Sequence, residues 1–355
     1  LSPEIRRKKT RTIRLGDVRI GGDAPIVVQS MTSCDTRDVR KTVEQIQALE
    51  KAGCEIVRVA VPDEAAAEAI GDIRSLIRIP LIADIHFRHE LALLAMDRGA
   101  DAIRINPGNI SAEGIRKIVA MARSRRKVIR VGINAGSLEK EIGARHGGPT
   151  AEALVESALK NIRLLEGMDF DLIKLSLKSS DVRTMIAAYR LVSEKTDYPL
   201  HLGVTEAGTL LQSAIKSSIG IGTLLAEGIG DTIRVSVTGS PVPEVSLAFG
   251  ILRALNIRRE GPDIVSCPTC GRCEIDLAGL AERVERELAG MKTPLKIALM
   301  GCIVNGPGEA AEADIGIAGG RGSGMLFKKG KIVRKIREDQ FVPVLLEEIG
   351  KMETD

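Results

Sequence analysis

The sequence predicts an α/β protein: a (β/α)8 TIM barrel over residues 1–257, followed by a small α+β domain over residues 258–355. Three observations predict it. Eight short apolar runs each precede a stretch with apolar residues at helical spacing, and eight such units in about 250 residues are what a closed barrel needs. No Gly-x-Gly-x-x-Gly follows the first run, which removes the usual mark of an open doubly wound sheet. Beyond Ile257 the pattern changes to a charged linker, Arg258-Arg-Glu-Gly-Pro-Asp263, and then to a run of cysteines.

The expected strands are Ile26 to Met31, Ile56 to Val61, Pro80 to Ile85, Ala102 to Asn106, Val128 to Asn134, Leu172 to Lys178, Leu200 to Thr205 and Thr232 to Thr238. Helical stretches follow them, such as Asp38 to Lys51, Glu113 to Arg123, Glu152 to Glu166 and Val182 to Lys195. Runs such as Ile103-Arg-Ile-Asn106, Ile129-Arg-Val-Gly-Ile-Asn134, Ile173-Lys-Leu-Ser-Leu-Lys178 and Ile233-Arg-Val-Ser-Val-Thr238 put apolar and polar side chains on opposite faces. The apolar set should pack on the helices. That leaves Arg104, Asn106, Arg130, Asn134, Lys178, Arg234 and Ser236 in the lumen with Arg58, Asp84 and His86, where most barrels pack branched apolar residues. Buried cations must be paired, and the acids expected on that face, Asp84 and Glu206, are outnumbered. A polyanion such as a diphosphate would satisfy the surplus through charge-assisted hydrogen bonds.

The seventh strand ends in His201-Leu-Gly-Val-Thr-Glu206-Ala-Gly208, which sets Glu206 at the rim where barrels keep their chemistry. Two roles suit it: a proton donor to a bound substrate, or a counter-ion to Arg234 or Lys178. His86 and His201 either orient a substrate or cap their strands. The long fifth connection, Leu138 to Thr150, carries Gly143, Gly147 and Gly148 and is either a lid or a disordered insertion.

The C-terminal region reads as a helix from Leu277 to Leu288, a buried strand from Leu295 to Met300, a strand from Ile315 to Ala318, a hairpin through Phe327 to Val333 and a last helix from Gln340 to Lys351. The turn Gly319 to Gly324 either wraps an anionic group with backbone N–H groups or is a plain hairpin bend. Four of the six cysteines lie here. Cys267-Pro-Thr-Cys270 can bite one metal centre and Cys302, from a separate segment, can close on it, as thiolate-held iron–sulfur clusters require. Cys273 extends the run toward a bacterial ferredoxin pattern, but the Cys-Pro of that pattern is missing. A zinc ribbon is the alternative. It lacks a second Cys-x-x-Cys pair, no His lies beyond His201, and the nearest hard ligand is the carboxylate of Glu309. The C-terminal part thus reads as an α+β iron–sulfur domain.

Composition narrows the class. With 51 Lys plus Arg against 47 Asp plus Glu, a net charge of +4, no Trp, two Tyr and five Phe, the chain has neither the basic excess nor the aromatic platforms of a nucleic-acid binder. The opening residues are polar and no run of eighteen apolar residues occurs, so neither a secretory signal nor a membrane span is expected. Cysteines without a disulfide framework fit a reducing cytoplasm.

Gln29-Ser-Met-Thr32, Ala83-Asp-Ile-His86, Arg104-Ile-Asn-Pro-Gly-Asn109, His201 to Gly208, Ser266-Cys-Pro-Thr-Cys-Gly-Arg272 and Gly301-Cys-Ile-Val-Asn-Gly-Pro-Gly-Glu309 together resemble the 4-hydroxy-3-methylbut-2-en-1-yl diphosphate synthase family in its compact bacterial form. The resemblance spans nearly the whole chain. It implies reductive ring opening and dehydration of 2-C-methyl-D-erythritol 2,4-cyclodiphosphate in the non-mevalonate isoprenoid pathway, with electrons from flavodoxin or ferredoxin. It also implies a [4Fe-4S] cluster on Cys267, Cys270, Cys302 and Glu309, with Glu206 as acid. Arg58, Arg104, Arg130, Lys178 and Arg234 would bind the diphosphate, with Asn106, Asn134 and Ser236 beside them. The sequence departs from the family pattern at Cys34 and Cys273. A dihydropteroate-synthase-like transferase with a zinc domain is the runner-up, and an iron–sulfur carrier, which leaves the polar lumen unexplained, is third.

Barrel geometry adds an oligomeric expectation. The helix after the eighth strand, Pro243 to Leu255, should end on the face opposite the chemistry. The linker from Asn256 to Ser266 spans at most about 35 Å, roughly a barrel's height. A two-fold homodimer in which each cluster domain serves the partner's barrel resolves the mismatch.

Overall fold

The structure is a computed structural model and describes residues 5–288, 290–302 and 312–354. The chain divides into two compact units, Leu1–Arg258 and Arg259–Asp355.

The first unit opens with a hairpin, β1 (Ile13–Leu15) and β2 (Val18–Ile20). The barrel strands follow: β3 (Val27–Met31), β4 (Ile56–Ala60), β5 (Leu81–Asp84), β6 (Ala102–Ile105), β7 (Val128–Asn134), β8 (Ile173–Lys178), β9 (His201–Leu202) and β10 (Thr232–Ile233). They form one parallel sheet in the order β8-β7-β6-β5-β4-β3-β10-β9. A parallel bridge between Leu175 and Leu200 joins its two ends and closes the barrel. Helices α1 (Val39–Lys51), α2 (Glu64–Leu76), α3 (His89–Asp97), α4 (Ala112–Ser124), α5 (Lys140–His146), α6 (Ala151–Glu166), α7 (Val182–Lys195), α8 (Leu210–Ala226) and α9 (Val242–Ala254) fill the connections. Several begin at a capping side chain that accepts from an otherwise unpaired N–H: Asp38 for α1, Asp63 for α2, Ser111 for α4, Thr150 for α6 and Asp181 for α7.

The outward residues of the strands form the main core with the helices, including Val57, Val59, Ile103, Ile105, Ile129, Val131, Ile173 and Leu175. A second apolar cluster closes the floor. Ile13, Leu15 and Ile20 of the hairpin pack on Val27, Ile56, Ile82, Ala102 and Val128, inward residues near the starts of five strands.

β9 and β10 are much shorter than the expected strands of five or more residues. The chain leaves the ladder at Gly203, where a Cβ would lie 2.6 Å from both Lys178 Nζ and the Arg234 carbonyl oxygen. The connection from β7 to α6 contains α5, which ends at Gly147 in the left-handed region (φ 68°), a conformation glycine adopts without strain. Glu139 accepts from Ser157 Oγ at 2.6 Å and His146 lies 2.7 Å from Glu156, so α6 holds this segment. It is an ordered helix rather than a disordered insertion.

The second unit has a five-stranded sheet in the order β11-β12-β13-β14-β15, made of Asp263–Ser266, Lys296–Met300, Ile315–Gly320, Ser323–Lys328 and Lys331–Arg337. The first three strands are parallel and the last two antiparallel. Helices α10 (Leu277–Glu287) and α11 (Phe341–Thr354) cover one face through Leu280, Val284, Phe341 and Leu345. Gly319 and Gly320 pair with Gly324 and Ser323 at the ends of β13 and β14, and Arg321-Gly322 makes the tight turn between them, the plain hairpin bend of the two readings. Among the described residues no helix is long and apolar enough to cross a membrane.

Candidate active site

Strand alternation turns a row of polar residues into the barrel. Arg58, Asp84, Arg104, Asn106, Arg130 and Lys178 are all buried, and Arg234 is 15% exposed at its side chain. Asp84 anchors the near side. Its oxygens lie 3.1 Å from Arg104 Nη1 and 3.5 Å from Arg58 Nε, with His86 Nε2 at 3.8 Å on the exposed rim. Burial alone would raise Asp84, but Arg58 and then Arg104 outweigh it and hold the carboxyl at about 2. Arg58 is lowered to about 10 by burial, against the pull of Asp84. Gly132 makes room for Arg104, since a Cβ there would lie 2.5 Å from its Nε. Asn134, with its amide turned to suit its neighbours, accepts from Arg104 Nη2 at 3.2 Å. Asn106 accepts from the Gly108 N–H at 3.2 Å and donates to the Ser137 carbonyl at 3.4 Å.

The far side holds a carboxylate that strand alternation missed. Glu244, in the first turn of α9, accepts from Arg234 Nη2 (3.1 Å) and Nε (3.2 Å), Ser30 Oγ (2.8 Å) and the Val237 N–H (3.0 Å). It is a helix residue at a dipole-favoured N-terminus, outside the strand alternation. Glu206 is therefore not the counter-ion of Arg234. It lies exposed in the loop after β9 with φ 52°, a backbone region costing a non-glycine residue about 1–3 kcal/mol. Ser236 is half-buried on the connection after β10, its carbonyl accepting from Ser213 Oγ at 2.7 Å.

Deeper in the lumen lie Lys174, Ser176 and His201, all fully buried. The first two belong to the alternating run of β8 and were legible there, yet escaped the expected lumen set. His201 Nδ1 is 2.8 Å from Thr232 Oγ1, and burial, and after it Arg130, keep the ring neutral by lowering its pKa well below the ordinary range. Its position inside the barrel removes the strand-capping reading.

In the second unit the cysteine loop folds onto the end of β12. The Gly301 N–H donates to Cys267 Sγ at 3.3 Å, and the Glu274 N–H donates to the Gly301 carbonyl at 3.0 Å, which sets Cys302 beside the loop. Hydrogen bonds from the Arg272 backbone and guanidinium lower the Cys270 thiol below its ordinary range, and the same guanidinium interacts with Cys302 and Cys267. Cys273 donates to the Ile275 carbonyl at 3.3 Å. Among the described residues no three Cys, His, Asp or Glu side chains converge as they would around a single ion. In a cubane cluster each thiolate meets its own iron, so its ligands are spread over several metal atoms. Paired thiols, an N–H···S bond and an adjacent cation suit such an anionic centre. Glu309, expected as the fourth ligand, lies outside the described residues.

Residues 10–249 match the GcpE TIM-barrel domain and residues 263–351 the GcpE protein C-terminal domain. The 4-hydroxy-3-methylbut-2-en-1-yl diphosphate synthase (flavodoxin) of Geobacter sulfurreducens is 58% identical over 347 residues, covering 98% of each chain. The protein of the same name from Caldanaerobacter subterraneus subsp. tengcongensis is 60% identical over 347 residues, again covering 98% of each. Among solved structures, dihydropteroate synthase from Vibrio fischeri covers 69% of this chain and 98% of its own, with a TM-score of 0.50 and 13% identity. That likeness shows the barrel fold alone and gives no support to the transferase reading. Matched in both units by the two domains of one family, and over nearly its full length by relatives that share more than half its residues, the chain belongs to the GcpE family.

Proposed function

We infer that the chain catalyses reductive ring opening and dehydration of 2-C-methyl-D-erythritol 2,4-cyclodiphosphate to 4-hydroxy-3-methylbut-2-en-1-yl diphosphate, with flavodoxin as electron donor in the cytoplasm. The observation that carries the reading is the cationic lumen in a chain 58% identical to a synthase of that name. Arg58, Arg104, Arg130, Lys178 and Arg234 bind the diphosphate, and Asp84 and Glu244 fix the guanidinium planes of Arg58, Arg104 and Arg234 before it arrives. Asn106, Asn134, His86 and Ser236 line the approach, and His201 stays neutral beneath it.

Cys267, Cys270, Cys302 and Glu309 hold a [4Fe-4S] cluster, with Cys273 left to its carbonyl partner. The bound cluster would supply two electrons one at a time and a metal site for the substrate's oxygen. Glu206 delivers the proton on which the hydroxyl leaves as water, a contribution commonly worth about 10²–10⁴ in rate. The working form is a homodimer whose active sites form in trans.

Iron analysis and absorption of anaerobically purified protein test the reading. Brown protein containing iron and acid-labile sulfide is expected, and its cluster should be lost on Cys270→Ser but kept on Cys273→Ser. Colourless protein containing zinc but no iron would sink it.

A further inference from the structure

Lys174 is a fully buried lysine that diphosphate binding does not use. Among the described residues its Nζ has no hydrogen-bond partner. Directly across the β7–β8 ladder stands Arg130, 1% exposed, whose Nε and Nη1 also lack partners while Nη2 lies 3.4 Å from Ser176 Oγ. The charged and titratable groups around Lys174 are Arg130 on β7, Arg58 on β4, His201 on β9 and Asp231 just before β10. Asp231 is already engaged, accepting from Thr10 Oγ1 (2.8 Å), Arg7 Nη2 (3.4 Å) and the Leu200 N–H (2.8 Å). An ammonium at this point would face two guanidiniums with no carboxylate of its own.

Buried polar atoms in folded proteins are almost always paired, so three unpartnered nitrogens side by side demand an explanation. A guanidinium keeps its proton, whereas a lysine can give one up, and the lone pair so exposed is an acceptor. We propose that Lys174 is an uncharged amine in the folded protein and that it positions Arg130 by accepting a hydrogen bond from its guanidinium, directly or through one water. Burial, and after it Arg130 and Arg58, push Lys174 far below the ordinary lysine range. Burial, and after it Arg130 and Arg234, also push Lys178 far below the ordinary lysine range, but that side chain is 5% exposed where the lumen opens, and on the diphosphate reading the bound anion is its counter-ion.

Charge balance agrees, in a step that rests on the diphosphate reading. Arg58, Arg104, Arg130, Lys178 and Arg234 against Asp84 and Glu244 leave three positive charges among the described lumen residues. A cyclic diphosphate carries two negative ones and its linear product up to three, so neither exceeds that count. A charged Lys174 would be left over.

Full-length protein carrying ¹³Cε-labelled lysine tests the proposal by NMR, with Lys174→Met assigning the resonance. The expected signal at pH 7 has the shift of a neutral amine, with or without pyrophosphate. Lys174→Met should weaken pyrophosphate binding about tenfold, because Arg130 loses its acceptor, and Lys174→Gln, which supplies a carbonyl oxygen, should restore most of it. A Lys174 signal of a charged ammonium at pH 7 overturns the proposal, as does equal binding by the Met and Gln variants. Should Lys174→Met not fold, a wild-type spectrum at pH 7 with no neutral lysine signal does the same. A neutral signal in protein that fails to bind pyrophosphate would overturn the diphosphate reading instead.

Discussion

Glu244→Gln is the most informative single change in the barrel. The native carboxylate is 2% exposed and spreads four accepted hydrogen bonds over two oxygens. A glutamine amide has one oxygen. With that oxygen toward Arg234 Nη2 and the Val237 N–H, its NH2 faces Arg234 Nε, a donor against a donor. The Ser30 hydroxyl can rotate and accept, so one bond is recovered. Arg234 would then stand among Arg58 and Lys178 without its counter-ion. Removing one partner of a buried pair costs about 3–5 kcal/mol, and the recovered bond and partial solvent access of Arg234 put this case near the low end, about 3 kcal/mol. Both tyrosines, Tyr189 and Tyr198, lie in the first unit, and the chain has no Trp, so tyrosine fluorescence follows barrel unfolding alone. With a urea slope of about 3 kcal/mol per molar for a unit of this size, the midpoint should fall by about 1 M. A loss of less than about 1 kcal/mol would refute the assignment of Glu244 as the counter-ion that makes the cationic lumen tolerable.

Two further outcomes follow from the same groups. Asp84 has a folded pKa depressed to about 2, so its stabilisation is fully present above about pH 4 and is lost as the pH falls toward 2, an effect of about 2 kcal/mol. Urea midpoints between pH 6 and 3 should therefore fall more steeply in wild type than in Asp84→Asn, and parallel curves would contradict its pairing with Arg58 and Arg104. Mixing Glu206→Gln with Cys302→Ser chains under subunit exchange should restore activity from two inactive parents, because a trans arrangement leaves each heterodimer one intact site. Verified heterodimers without activity would mean that sites form within one chain.

Period-two alternation made most of the site legible, because each lumen cation on β4, β6, β7 and β8 alternates with an aliphatic residue that must face a helix. The same rule gave β7 its observed bounds, Val128–Asn134. It overran on β9 and β10, whose pairing stops at Leu202 and Ile233, with the Arg234 N–H still donating to the Leu202 carbonyl at 3.0 Å. The floor hairpin was in principle readable: Ile13-Arg-Leu15 and Val18-Arg-Ile20 flank Gly16-Asp17, a two-residue turn signal, and Gly16 takes φ 51°. Glu244 was not readable from strand pattern. Its contact with Arg234 depends on how α9 begins against β10. In the second unit, the spacing of Cys267 and Cys270 pointed to a metal centre, while the approach of Cys302 depends on backbone hydrogen bonds at Gly301 that spacing does not encode.

The hairpin under the barrel makes it a vessel with one mouth. Ile13, Leu15 and Ile20 seal an apolar floor, so water displaced by an arriving substrate cannot drain downward. Substrate, proton, expelled water and product must all pass the same rim, past His86 and Glu206. Traffic through that opening is consequently sequential: the product has to clear the mouth before the next molecule can enter.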